Sequence, residues 1–134
     1  MRITADTNVL VRVAIDDDPD QAAVAAAVLR EAEVIAVTLP ALCEFVWVLA
    51  RWYKREAKDI SAAIRRLVES ATVQVDRPAV DAGLAVLEAG GDFADGIIAF
   101  EGRRLGGLVF TSFDRSAVEL IEATGVETCL LSGK

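Results

Sequence analysis

Short β-branched runs alternate along this chain with stretches of helical period, and no two-residue hairpin signal joins any two of the runs. Strands that cannot return by a hairpin need crossover connections and therefore pair in parallel, so this alternation constrains the fold more than any other feature. The runs are Arg2 to Ala5, Val34 to Thr38, Thr72 to Val75, Leu108 to Thr111 and Glu127 to Leu131. A parallel sheet must be covered on both faces. The expected fold is therefore α/β, a three-layer α/β/α sandwich with a mostly parallel five-stranded sheet. With 134 residues, 54% of them hydrophobic, and no repeat or linker, the chain is expected to form a single domain, 1–134, with its own core.

The helical stretches carry start and stop signals. Val9, Leu10 and Val13 stand at helical spacing directly after Asp6-Thr7-Asn8, so the first strand runs into a helix through a polar turn. Pro19-Asp20 opens an Ala-rich helix to about Glu31, with Asp20 its expected cap after a solvated Asp16-Asp17-Asp18 turn. Leu42, Phe45, Val46 and Leu49 mark a third helix, and Asp59 is expected to cap a fourth through about Glu69. Pro78 begins a helix that Gly90-Gly91 ends, and Asp92 starts another that stops near Arg104. Ser116-Ala117-Val118-Glu119 has the pattern of a capping box.

Composition removes whole classes of chemistry. The chain has no His, which excludes Ser-His-Asp and Cys-His relays, imidazole general bases and His-containing zinc sites. Cys43 and Cys129 lie 86 positions apart, the wrong spacing for a zinc or redox motif, and are expected to be buried free thiols. The longest apolar run, Ala22 to Leu29, is far short of a membrane span, and the start resembles no signal peptide, so a soluble cytoplasmic protein is expected. A net charge of −7 repels phosphate on average, so any phosphate chemistry must be local. What remains is carboxylate chemistry.

Parallel pairing would bring Asp6, after the first strand, and Asp114, after the fourth, to the same sheet edge. Asp before a helix is also a common cap, but Ser116 offers its helix a better one and leaves Asp114 unexplained. Glu44 is the only charged residue between Glu33 and Arg51 and points away from the apolar face of its helix, so it is either a plain surface Glu or a carboxylate that needs a cation. Asp92 and Asp95, three apart at a helix start, share a face and also suit a cap with an acid near the positive end of the helix dipole. Converging carboxylates repel unless some are protonated or cations bind. An all-oxygen site selects hard ions such as Mg²⁺ or Mn²⁺.

Four strings together, Asp6-Thr7-Asn8-Val9-Leu10-Val11-Arg12, Glu44, Asp92-Phe93-Ala94-Asp95-Gly96-Ile97-Ile98-Ala99 and Ser112-Phe113-Asp114-Arg115, resemble a PIN-domain ribonuclease in order and separation over essentially the whole chain. Size and acidic start look like the VapC toxins of bacterial toxin–antitoxin pairs. The resemblance implies that Asp6, Glu44, Asp95 and Asp114 form an acidic metal site, with Asp92 an additional acid and Asn8 and Ser112 hydrogen-bonding neighbours. It implies an Mg²⁺-dependent endoribonuclease, with Mn²⁺ as an alternative ion, that hydrolyses RNA phosphodiesters with an activated water and no side-chain nucleophile. It further implies a homodimer and a cognate antitoxin whose apolar helix lies in a groove while a basic side chain enters the acidic site. Two positions depart from the family pattern: Gly96, where Ala or another small residue is usual, and Ser112, where Thr is common.

Between Arg51 and Arg66 six basic residues face only Glu56 and Asp59, a local +4, so the remainder carries −11. If the third helix continues, Arg51, Lys54, Arg55 and Lys58 share one face beside Trp47, Trp52 and Tyr53, where an RNA backbone could track with a ring stacking a base. The other reading is a solvated face whose aromatics belong to the core or a subunit contact. Two rival functions stand beside the nuclease. An Asp6-nucleophile phosphohydrolase would want a second Asp two positions on, where this chain has Asn8. A noncatalytic PIN-like or receiver-like module would act through protein contacts, yet the acids are intact and after Arg115 the only Lys is Lys134.

Overall fold

The computed structural model describes residues 1–133, in which seven helices and five strands follow one another and separate into two compact units that join after Asp76. In the first unit, β1 (Arg2–Thr4), β2 (Val34–Ala36) and β3 (Val73–Gln74) form a parallel ladder in the order β1-β2-β3. Ile35 stands at its centre, in register with Ile3 on one side and Val73 on the other. The crossovers are paired helices, α1 (Thr7–Ala14) with α2 (Pro19–Glu31), then α3 (Leu39–Arg51) with α4 (Ala57–Glu69). Three of these helices bury a stripe, Leu10 and Val11 from α1, Leu42, Phe45, Val46 and Leu49 from α3, and Ile60, Ile64 and Val68 from α4, whereas α2 buries only Ala25.

The second unit runs α5 (Arg77–Glu88), α6 (Phe93–Arg104), β4 (Val109–Ser112), α7 (Arg115–Ala123) and β5 (Glu127–Leu130). The strands β4 and β5 pair in parallel from Val109↔Glu127 to Ser112↔Leu130. Val86, Ala99 and Ile121 form a buried cluster with Phe110, Leu120 and Val126 against it. All five expected strands are present and every pairing is parallel. They are two to four residues long and fall into ladders of three and two.

Helix ends differ from the sequence reading in instructive ways. Asp18, not Asp20, caps α2, accepting from the Gln21 amide at 3.1 Å, because Pro19 lacks an N–H and is suited to the first helical position. Glu56 holds the N-cap position of α4, and Asp59 lies in its first turn. The α7 helix opens one residue before Ser116, and Asp114 is its cap. The third helix does not continue: α3 ends at Arg51, and Lys54 takes a left-handed φ of 54° before α4 begins at Ala57. Arg51, Lys54, Arg55 and Lys58 therefore do not share one helical face. Cys43 is half-buried and Cys129 exposed, so the expected pair of buried thiols is not found. Nor is the Asp16-Asp17-Asp18 turn merely solvated, since Asp17 accepts from Arg12 at 2.9 Å and from the Tyr53 hydroxyl at 2.8 Å.

Candidate active site

In the first unit the chain leaves β1 through Ala5, whose amide donates to the Ala36 carbonyl at 3.0 Å, and turns at Asp6 into α1. Asp6 occupies the N-cap position in extended conformation, and its carbonyl accepts from Val9 at 3.0 Å. Its side chain makes no capping hydrogen bond. The ordinary reason for an Asp at this position is thus not the one realised, and the carboxylate is exposed. Thr7, next to it and buried, donates from Oγ1 to Glu44 Oε2 at 3.2 Å. Glu44 lies on the exposed side of α3, opposite the stripe of Leu42, Phe45, Val46 and Leu49. One hydroxyl therefore links the turn that carries Asp6 to the helix that carries Glu44. Asn8 is exposed on α1.

In the second unit Asp92 caps α6, its Oδ1 accepting from the Ala94 amide at 3.0 Å. Asp114 caps α7 in the same way through the Ala117 amide at 3.2 Å. Ser112 ends β4, and its hydroxyl accepts from the Asp114 amide at 3.0 Å, fixing the turn that presents Asp114. The capping bonds described engage one carboxylate oxygen of each acid. Asp95, in the first turn of α6, is half-buried, and its carboxyl is pushed above the usual aspartate range, first by burial and then by the charges of Asp92 and Asp114. Asp95 is thus the acid on which the starts of α6 and α7 bear.

Two features escaped the sequence reading. Thr7 looks there like part of a polar turn, and only its neighbour across 37 positions shows its role. Arg12, Asp17 and Tyr53 form a polar cluster, with Arg12 also 3.5 Å from the Tyr53 hydroxyl, that ties α1 to the end of α3. The spacing of Arg12 and Asp17 was visible in the sequence, but Tyr53 lies 41 positions from Arg12.

Among the described residues no group of three or more His, Cys, Asp or Glu side chains is gathered so as to hold a metal ion as it stands. The donor chemistry nonetheless suits a hard divalent ion: carboxylate and hydroxyl oxygens only, with a mutual repulsion at Asp95 that a cation would relieve. No helix among the described residues is long and apolar enough to cross a membrane. A search of curated proteins gave no match. A family model described as PIN domain matches residues 3–122, a span that crosses the junction of the two units and contains Asp6, Glu44, Asp92, Asp95 and Asp114, so the chain belongs to the PIN-domain family, whose members are typically nucleases.

Proposed function

We propose that this chain is an Mg²⁺-dependent endoribonuclease and the toxin of a toxin–antitoxin pair, with Asp6, Glu44, Asp95 and Asp114 as metal-holding and catalytic acids. The observation that carries the reading is Asp95, a half-buried carboxyl in the first turn of α6 that is raised first by its burial and then by the charges of Asp92 and Asp114, in a chain whose residues 3–122 match the PIN domain. A fold that keeps such a group uncompensated has a reason other than stability. Bound Mg²⁺ or Mn²⁺ would supply an acidic water and neutralise charge on the phosphate.

The chain's own residues do the rest. Thr7 holds Glu44 oriented, Ser112 fixes the backbone that presents Asp114, and Asp92 adds negative charge beside Asp95. With no His in the chain, neither protonation of the leaving oxygen nor deprotonation of the nucleophile falls to an imidazole. A single domain acting in the cytoplasm, a homodimer and a basic cognate antitoxin complete the proposal, the last supported by the net charge of −7.

The test is cleavage of a single-stranded RNA with Mg²⁺ and with EDTA. Asp6→Asn and Asp114→Asn are expected to lower the rate by about a hundredfold or more while leaving the circular dichroism of the fold intact, since Asn is also a good helix cap. Normal cleavage by both variants would remove the ligand assignment.

A further inference from the structure

We propose that Trp47 and Trp52 form a stacking platform for the bases of single-stranded RNA, with Arg51 and Lys54 engaging its phosphates. The proposal rests on the nuclease reading above and says where the substrate strand runs. Trp47 is 56% and Trp52 70% exposed, although α3 has a buried stripe on its other side. Their ring centroids are 6.5 Å apart with the planes at 72°, an edge-to-face pair that leaves at least one π-face of each indole clear of the other. A flat aromatic face in solvent is what an unpaired base stacks on, whatever its sequence.

Charge selects the partner. From Arg51 to Lys58 four cations stand with one acid, Glu56, which pairs at 4.0 Å with Lys58. Among the described residues no ion pair holds Arg51, Lys54 or Arg55. In a chain of net charge −7 this stretch is locally positive, with Arg55 lining a pocket together with Asp16, Asp59 and Arg66. A second copy of the chain, meeting it face to face, would set cation against cation, whereas a polyanion complements it. Lys54 is the one non-glycine residue with positive φ among those described. Glycine would adopt that conformation without the penalty of roughly 1–2 kcal/mol that a side chain incurs there.

Position ties the patch to the proposed chemistry. Glu44, Trp47 and Arg51 recur at i, i+3 and i+7 on α3 and are all exposed, so they form one stripe. At a rise of about 1.5 Å per residue, Trp47 lies roughly 5 Å and Arg51 roughly 11 Å beyond Glu44 along the axis. A strand with a phosphate near Glu44 would bring its next bases over the indoles.

The chain has two tryptophans, so its tryptophan fluorescence comes from this patch alone. Titration with a short oligouridylate in EDTA and low salt is expected to quench that emission saturably. By anisotropy of a labelled oligouridylate, Trp47→Ala and Trp52→Ala should each weaken binding about five- to a hundredfold, with Trp→Phe at either site recovering part of it. Arg51→Gln and Lys54→Gln should keep the quench at saturation and flatten the salt dependence. Unmoved emission, or alanine variants that bind as the wild type does, would overturn the platform. So would variants whose sedimentation shifts from dimer to monomer with RNA affinity unchanged, which would make the patch a subunit contact. Asp6→Asn separates the two readings, because it should still bind and quench while failing to cleave. A chain that cleaves RNA with unmoved emission keeps the nuclease and loses the platform, and one that quenches but never cleaves does the reverse.

Discussion

Asp95 shows at the scale of one residue how a functional group weakens its own fold. Its folded-state pKa lies above the unfolded value, so the native state binds the proton more tightly. The stability tied to that proton is fully present below the unfolded aspartate pKa and is lost as pH rises through the raised one. At neutral pH, Asp95→Asn is therefore expected to raise the melting temperature in EDTA, and the gain should vanish below about pH 3.9. Mg²⁺ should act in the opposite sense, stabilising the wild type by about 2.7 kcal/mol when free ion is near a hundred times its Kd, and the variant little. Melts across pH, with and without the ion, check both, and a variant that melts below the wild type in EDTA would contradict the first. Thr7 supplies a second case. Thr7→Val keeps the shape and removes the donor to Glu44, so RNA cleavage should fall about tenfold or more while stability changes by about 1 kcal/mol. Thr7→Ser should restore the rate. The acids were legible in the sequence because their chemistry is intrinsic, whereas Thr7 was not, because its importance lies wholly in its partner.

At the scale of elements, the sequence placed the strands and helices within a few residues and misjudged what holds their ends. Ser116 was the expected cap of α7, yet that helix begins at Arg115 and Asp114 takes the role, so Asp114 caps a helix as well as standing at the proposed site. A capping pattern is read from residue types, while the cap is decided by where the backbone leaves the strand. The departure at Gly96 has a packing reason. The helices α5 and α6 approach so closely there that a Cβ would meet the Ala82 carbonyl oxygen and come within 2.8 Å of Gly83 Cα. Both obstacles are backbone and cannot rotate away. Gly96→Ala is therefore expected to destabilise by about 1–3 kcal/mol by denaturant midpoint, despite the roughly 1 kcal/mol that Ala ordinarily gains over Gly in a helix. The basic face expected on a continued third helix fails for a different reason. After Arg51 the chain closes the helix with wide turns, Tyr53 N–H to Val48 O at 3.3 Å and Arg55 N–H to Leu49 O at 3.0 Å, and passes through Lys54 in the left-handed region. Lys54→Gly should relieve that strain and raise stability by up to about 1 kcal/mol.

For the molecule as a whole, the proposed acids divide between the units, Asp6 and Glu44 before the junction at Asp76 and Asp95 and Asp114 after it. If all four hold one ion, heating should give a single cooperative transition that Mg²⁺ raises as a unit, seen together in far- and near-ultraviolet circular dichroism. Two transitions, only one of them sensitive to the ion, would contradict shared ligation. The amino-acid order alone determined the α/β class and the parallel pairing, and it singled out the acids as candidate donors, because hydrophobic period, turn residues and side-chain chemistry are local properties that a one-dimensional string carries. Only the tertiary structure decided which carboxylate oxygens serve as caps, that the Asp6 side chain makes no capping bond, that Thr7 donates to Glu44 and that two indoles stand in solvent. These are matters of hydrogen-bond partner and exposure, and both are set by residues dozens of positions apart that meet only when the chain is folded.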